Sequence, residues 1–219
     1  MTRSELARLL DHSVLKPESI EADIRAGIDV VRLWRIGYFC VQPWWVKLAA
    51  DAMADVDSGV VSVVGFPHGA DRGATKAHAA ALAHADGARE IDTVVNIGAL
   101  KSGAHVEAAA DIAAVVRAVP GIPVKVIIEA AALTDDEKRL ACRLAVDAGA
   151  AFVKTSTGFH PAGGATVADV RLMRAAVGPH IGVKASGGIR TLADVLAMLS
   201  AGANRIGTSA SASILAALD

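Results

Sequence analysis

Cysteine is scarce in this chain. Its 219 residues hold two, Cys40 and Cys142, far apart and in no metal-like spacing. A disulfide framework is therefore not expected, and a reducing cytoplasm is the simplest home. Long apolar runs are missing too. Nowhere do about 18 uninterrupted apolar residues follow one another, so no membrane span is visible and no membrane is expected as a partner. The N-terminal MTRSELARLLDHS is charged and lacks the apolar stretch of a secretory signal. Charge of neither sign is in excess: 22 Lys and Arg stand against 23 Asp and Glu, a formal net charge of −1. Such a balance gives no argument for nucleic acid as a partner, and any ligand charge must be met locally. The seven histidines show no zinc spacing, and no convincing His, Cys and carboxylate ligand set appears, so neither a metal nor another cofactor is expected. No linker, low-complexity tract or fixed-period repeat interrupts the sequence.

What is present is apolar and periodic. Hydrophobic residues make up 53% of the chain and charged ones 21%, so a large core is expected. After a short amphipathic helix at 4–10, eight strand-like runs follow: 11–17, 37–41, 59–66, 90–96, 123–129, 152–155, 181–186 and 204–207. Helical stretches separate them at 19–31, 43–55, 75–87 and 105–119, then beyond Thr134 and Thr166, and at 191–200 and 210–218. Thr134 with Glu137 forms a capping box, and Thr166 with Asp169 opens its helix in the same way. Strands alternating with helices of this length give βαβ units and a parallel sheet. Eight units predict an α/β fold of the closed (β/α)8, or TIM, barrel kind, one domain over 1–219 with the N-terminal helix as an extra. A doubly wound open sheet is disfavoured, because no G-x-G-x-x-G follows the first strand.

The stretch AFVKTSTGFH, 151–160, breaks the pattern. Phe152 and Val153 begin an apolar strand, and Lys154 interrupts it at once. A strand buried on both faces should be continuously apolar. Lys154 therefore either snorkels to solvent at the strand end or is buried for chemistry, since a buried lysine loses its proton easily and then attacks carbonyls. Period-2 alternation puts Asp92, Val94 and Asn96 on one strand face, and Lys125, Ile127 and Glu129 on another. Lys154 shares a face with Ser156, and Lys184 with Ser186. If these faces point inward, Asp92, Lys125, Lys154 and Lys184 meet in one interior, near the C-terminal strand ends where such barrels keep their active sites. The Lys184 charge and desolvation would both depress the pKa of Lys154, as Schiff-base chemistry needs. Asp92 would then relay protons through water. The alternative is an ion-paired ring, Asp92 with Lys184 and Lys125 with Glu129, that only plugs the barrel.

A second group follows the last two strands: Ser186, Gly187, Gly188 and Arg190, then Gly207, Thr208 and Ser209. Barrels of this kind bind phosphate there through loop amides, and glycine lets backbone N–H groups approach an anion closely. The alternative is two plain glycine turns. Cys40 reads as a small buried hydrophobe, His78 and His84 as surface helix residues, and Trp44 and Trp45 as packing or subunit contacts. Asp11 and His12 either cap or line the site.

DHSVLKP (11–17), VGFPHGA (64–70), TK (75–76), EIDTVVNIGALKSG (90–103), KVIIEAAALTDDEK (125–138), FVKTSTGF (152–159), VKASGGIR (183–190) and RIGTSAS (205–211) run in order along nearly the whole chain. Together they closely resemble the deoxyribose-phosphate aldolase family, FVKTSTGF and VKASGGIR being the most specific. The resemblance implies a metal-free class I aldolase on a (β/α)8 barrel. It implies reversible cleavage of 2-deoxy-D-ribose 5-phosphate to D-glyceraldehyde 3-phosphate and acetaldehyde. By position Lys154 matches the Schiff-base lysine, Lys184 the lysine that lowers its pKa, and Asp92 the proton donor and acceptor. Gly187, Gly188 and Ser209 fall where the family holds phosphate. Thr157 and Gly207 are expected to join them, with Lys125, Asp11 and Cys40 in support. The expected partners are a sugar phosphate and an aldehyde, and a homo-oligomer, dimer or tetramer, is expected. Ala130, Ala79 and Gln42 depart from the residues common in the family, and SILAALD ends without the terminal tyrosine of some members. Two other readings compete: a transaldolase-like Schiff-base barrel, which would not need Lys184, and a phosphate-binding barrel without covalent chemistry.

Overall fold

In the computed structural model, which describes residues 1–218, eight parallel strands close into a barrel in sequence order. Helix α1 (Arg3–Arg8) precedes β1 (Leu10–Val14). Then come α2 (Glu21–Trp34), β2 (Tyr38–Val41), α3 (Val46–Ala52), β3 (Gly59–Val64), α4 (Gly73–Ala85) and β4 (Glu90–Val94). Helices α5 (Ile97–Lys101) and α6 (His105–Ala118) lead to β5 (Val124–Ile127). The chain continues through α7 (Asp135–Asp147), β6 (Phe152–Lys154), α8 (Val167–Val177), β7 (Gly182–Ser186), α9 (Leu192–Ser200), β8 (Arg205–Thr208) and α10 (Ser211–Ala216). Pairing of Leu10 with Ile206 and Asp11 with Gly207 joins β1 to β8 and closes the sheet. The expected (β/α)8 barrel and its extra N-terminal helix are what the chain forms.

Two apolar compartments result from the alternation of side chains along each strand. Outward residues such as Phe39, Ile91, Val126, Val153, Val183 and Ile206 belong to the large cluster packed under the helices. Each such fully buried aliphatic side chain contributes about 1.5–3 kcal/mol. The inward compartment holds little apolar matter: Cys40, Val61 and Val63 form a separate small cluster. Charged side chains fill the rest of the barrel axis. Room for them comes from inward glycines. A Cβ on Gly182 would lie 2.0 Å from the Phe152 ring, and one on Gly207 would lie 3.1 Å from Cε of Lys184.

Local signals fix the helix starts. Thr134 accepts from the Glu137 amide while Glu137 accepts from the Thr134 amide. The Thr166 side chain accepts from the Asp169 amide at 3.0 Å. Two expectations need correction. Residues 43–55 are not one helix: Pro43–Trp45 is a 3-10 turn ahead of α3. Of the tryptophans expected to pack or to make subunit contacts, Trp45 packs partly against the core and Trp44 is 84% exposed. The strands stop earlier than the sequence suggests: β4 ends at Val94, and Asn96 caps the unforeseen helix α5 by accepting from Ala99 at 3.0 Å. No helix among the described residues is long and apolar enough to cross a membrane.

Candidate active site

Seven charged side chains from six strands meet inside the barrel, all of them buried. Asp92 on β4 is the junction. Its Oδ2 accepts from Lys154 on β6 at 2.7 Å and from Lys184 on β7 at 2.7 Å, and its Oδ1 accepts from Lys125 on β5 at 2.7 Å. Lys125 also pairs with Glu90 at 2.6 Å. Glu90 accepts from Arg205 on β8 at 3.0 Å, and Arg205 donates to Asp11 on β1 at 3.0 Å. Asp11 in turn accepts from Lys184. The contacts close into a six-membered ring of alternating sign: Asp11, Arg205, Glu90, Lys125, Asp92, Lys184. Lys154 hangs from this ring through Asp92. The Arg205 guanidinium lies 3.6 Å from the centre of the Tyr38 ring, which supports the N-terminal end of the assembly.

The ring dictates protonation. Burial opposes ionisation of Asp92, but Lys125, Lys154 and Lys184 together outweigh it and hold its carboxyl well below the usual carboxylate range. Burial likewise works against the Lys184 ammonium, and Asp11 and Asp92 overcome it, holding Lys184 above the ordinary lysine value. Lys154 differs. Burial pushes its pKa down, Asp92 pushes back, and the Lys184 charge adds to the downward side, so the net shift is downward. Cys40 stands beside this group with its thiol pushed up to about 11 by burial and by the Asp92 charge, and it is no thiolate at neutral pH.

A cavity of about 740 Å³ leads from Lys154 to the C-terminal mouth of the barrel. Thr157, Gly158, Gly187, Gly188 and Ser209 line it. Gly188 has φ +79°, a left-handed conformation that glycine adopts at no cost, and a Cβ there would meet nothing within 4 Å. The amides of Gly188 and Ser209, two of the residues that line the cavity, have no hydrogen-bond partner among the described residues. Arg190 is exposed at the edge, its amide bonded to Asp194 at 3.0 Å. His12 also lines the cavity; burial lowers its pKa to about 4, so it is neutral, and its Nδ1 lies 3.1 Å from Ser211 Oγ. A second cavity of about 810 Å³ adjoins the first, sharing Thr157 and Phe159 and bounded by Trp44, Trp45 and Phe66.

Most of the residues singled out in the sequence converge here: Asp11, Cys40, Asp92, Lys125, Lys154 and Lys184 at the bottom, Thr157, Gly187, Gly188 and Ser209 at the mouth. Gly207 lines the same cavity and has a second part as well. It faces inward, and its missing side chain makes space for the chain of Lys184. Of the two pairs in the ion-paired alternative, Asp92–Lys184 forms at 2.7 Å, and Lys125–Glu129 does not form. Strand β5 ends at Ile127, and Glu129 turns out of register with φ +53°. Its carboxylate accepts from Thr157 Oγ1 at 2.5 Å and from the Thr157 amide at 3.2 Å. Glu90 and Arg205 were not among the candidates. Period 2 sets Glu90 on the face of Asp92 and Arg205 on the face of Gly207, and that signal would have found both. Of the departures, Gln42 has a visible part: its Nε2 donates to the Leu15 carbonyl at 2.9 Å and ties down the loop after β1.

Comparison with known proteins agrees with this geometry. Residues 7–216 match the model of the DeoC/LacD family aldolase. The chain is 53% identical over 187 residues to deoxyribose-phosphate aldolase 1 of Bacillus licheniformis, covering 85% of this chain and 83% of that one. It is 53% identical over 186 residues to deoxyribose-phosphate aldolase of Enterococcus faecalis, covering 84% of each. Among solved structures it is similar to a putative deoxyribose-phosphate aldolase from Coccidioides immitis, with TM-score 0.96, 34% identity and coverage of 99% and 87%. It is also similar to the tetrameric deoxyribose phosphate aldolase from Aeropyrum pernix, with TM-score 0.91, 28% identity and coverage of 99% and 92%.

The Glu129–Thr157 contact generates a stability prediction. Thr157→Val keeps the side-chain shape and removes the hydroxyl that donates to a buried carboxylate. Loss of such a donor costs about 1–3 kcal/mol, so the denaturant midpoint should fall with the slope unchanged. An unaltered midpoint would mean that the hydroxyl contact contributes nothing.

Proposed function

The chain belongs to the DeoC/LacD family of aldolases, and from that premise we propose that it reversibly cleaves 2-deoxy-D-ribose 5-phosphate to D-glyceraldehyde 3-phosphate and acetaldehyde through a Schiff base on Lys154. The observation that carries this reading is the position of Lys154: buried at the foot of the cavity, on the one carboxylate oxygen it shares with Lys184. A neutral amine there adds to the substrate's aldehyde carbon. Loss of water from the carbinolamine leaves an iminium, which draws electrons from the neighbouring carbon–carbon bond. The bond that breaks joins the second and third carbons of the sugar; as it breaks, the proton of the hydroxyl on the third carbon passes to water relayed by Asp92, and glyceraldehyde 3-phosphate departs. The enamine that remains is protonated on carbon, and water releases acetaldehyde and restores the amine.

Asp92 and Lys184 serve these proton movements. Asp92 is held so firmly ionised that it is a weak base. It acts by passing protons between the Lys184 ammonium and water at Lys154, and not by storing one. Lys184 keeps Lys154 from accepting a proton of its own, because two adjacent ammonium groups repel. The unpaired amides of Gly188 and Ser209 suit the 5-phosphate, which needs donors more than it needs a basic side chain. Two buried free thiols, Cys40 and Cys142, fit a reducing cytoplasm. A homo-oligomer, dimer or tetramer, would give the exposed indole of Trp44 a contact.

Trapping tests the covalent step. Acetaldehyde followed by borohydride should leave an ethyl group on Lys154, located by peptide mapping, and Lys154→Ala should give no adduct and no cleavage. A transaldolase-like enzyme that rejects this donor, or a non-covalent barrel, would give no ethyl group, and ethylation of Lys125 or Lys184 instead would overturn the assignment.

Gly188→Val tests the phosphate site separately. A Cβ at Gly188 meets no protein atom within 4 Å, but φ +79° is a conformation that a β-branched residue rarely adopts, so the substitution displaces the turn that carries the free amide. KM for deoxyribose 5-phosphate should rise at least about tenfold, the effect of losing one charge-assisted hydrogen bond. Cleavage of unphosphorylated deoxyribose should change little. Equal losses on both sugars would mean that the loop shapes the barrel and does not hold phosphate.

A further inference from the structure

Two members of the buried ring have no part in the chemistry described above. Glu90 is the first residue of β4 and Arg205 the first of β8, so both sit at the N-terminal end of the barrel. They are 4% and 7% exposed, and neither borders the cavity that holds Lys154. Each bridges two other members. Glu90 joins Arg205 at 3.0 Å to Lys125 at 2.6 Å, and Arg205 joins Glu90 to Asp11 at 3.0 Å.

The charges inside the barrel alternate and cancel. Asp11, Glu90 and Asp92 supply three negative charges, and Lys125, Lys184 and Arg205 three positive ones. Lys154 is the seventh group. Protonated, it leaves the buried assembly with a net positive charge; neutral, it leaves none. Stranded charge in a medium of low dielectric is costly, so the assembly as a whole favours the free amine.

We propose that Glu90 and Arg205 are positioning residues for the reaction, completing a neutral six-membered ring to which Lys154 is the odd charge, so that the ring's balance sets how readily Lys154 gives up its proton. The proposal rests on Lys154 as the nucleophile. It extends control of that amine from its neighbour Lys184 to the opposite end of the barrel.

Other groups facing Lys154 do not upset the count. From β1, His12 is neutral, burial having lowered its pKa to about 4. From β2, the Cys40 thiol is pushed up to about 11, again chiefly by burial. Strand β3 presents only Val61 and Val63 to the interior. Between β5 and β6, Glu129 lies at the mouth, outside the ring, bonded to Thr157 and to no member of the ring among the described residues, so it is common to wild type and variants and leaves the comparison between them unchanged. Farther out, Lys16, Glu18, Asp23 and Arg190 line the cavity but are exposed, where water screens them.

A charge-balance role predicts shifts of opposite sign, which a merely structural role does not. The measurement is the rate at which the full-length enzyme is ethylated at Lys154 by acetaldehyde and cyanoborohydride, followed against pH. Only the free amine reacts, so the rate rises with pH through the pKa of Lys154. Glu90→Gln removes a negative charge, makes a second positive charge harder to hold, and should move the rise to lower pH. Arg205→Met removes a positive charge and should move it to higher pH. Each shift should be roughly one pH unit, the size expected in a medium of intermediate dielectric for charges three links (Glu90) and four links (Arg205) away along the ring. The double variant Glu90→Gln, Arg205→Met restores neutrality and should return the rise to the wild-type position. Arg205→Lys keeps the charge and should also stay near wild type. Breaking a buried pair is strongly destabilising, so Arg205→Met is the variant at risk of unfolding; Glu90→Gln against the double variant then carries the same comparison. Shifts in one direction for both single variants, unmoved curves, or a double variant that fails to return would overturn the proposal while Lys154 remained the reactive lysine. A wild-type enzyme that gives no Lys154 adduct would instead overturn the Schiff-base reading, and this proposal with it.

Discussion

The structure depends on one carboxylate. Asp92 takes three lysine nitrogens on its two oxygens at a fully buried position, and each of the three comes from a different strand. Bringing a single ion out of water costs several kcal/mol even after the protein relaxes, and only well-placed partners offset it. The ring is the arrangement that supplies those partners without leaving a charge over. It accounts for much of what is unusual in the barrel interior: the inward glycines that make room for long side chains, the scarcity of inward aliphatic residues, and the aromatic floor of Tyr38 and Phe152 under Arg205. In this interior, electrostatic pairing has taken the place that hydrophobic packing holds in the outer layer.

That arrangement separates two tasks. At the bottom, burial and the Lys184 charge lower the pKa of one amine, that of Lys154. At the mouth, the backbone amides of Gly188 and Ser209 have no partner among the described residues. The strands carry the first task because their rigidity keeps Asp92 within 2.7 Å of Lys125, Lys154 and Lys184 at once. The loops after β7 and β8 carry the second, since a loop can turn its N–H groups outward where a strand must spend them on its neighbours. Substitutions should accordingly divide into those that alter the reactivity of Lys154 and those that alter sugar-phosphate binding.

Much of this was legible in the sequence, for physical reasons. A lysine or aspartate in the middle of an apolar strand violates the pattern and attracts notice, which is how Asp92, Lys125, Lys154 and Lys184 stand out. Period 2 by itself then places them in one interior. Glu90 and Arg205 obey the same period, yet each is the first residue of its strand, where a charge resembles the end of a loop. Glu129 misled for the opposite reason: the strand pattern reads on past Ile127, but the backbone turns left-handed and carries the side chain to Thr157. Helix α5 has five residues, too few for a helical period to show. The closure of the ring lay beyond local patterns altogether, because Lys184 and Arg205 reach Asp11 across 173 and 194 positions of chain.

The central claim is that Lys154 is the neutral lysine of the group. Neutron diffraction on deuterium-exchanged crystals at neutral pH measures this directly, because it counts deuterons on each nitrogen. The account predicts two on Nζ of Lys154 and three on Nζ of both Lys125 and Lys184, as a free amine beside two ammonium groups requires. Three on Lys154, or two on Lys184, would contradict it.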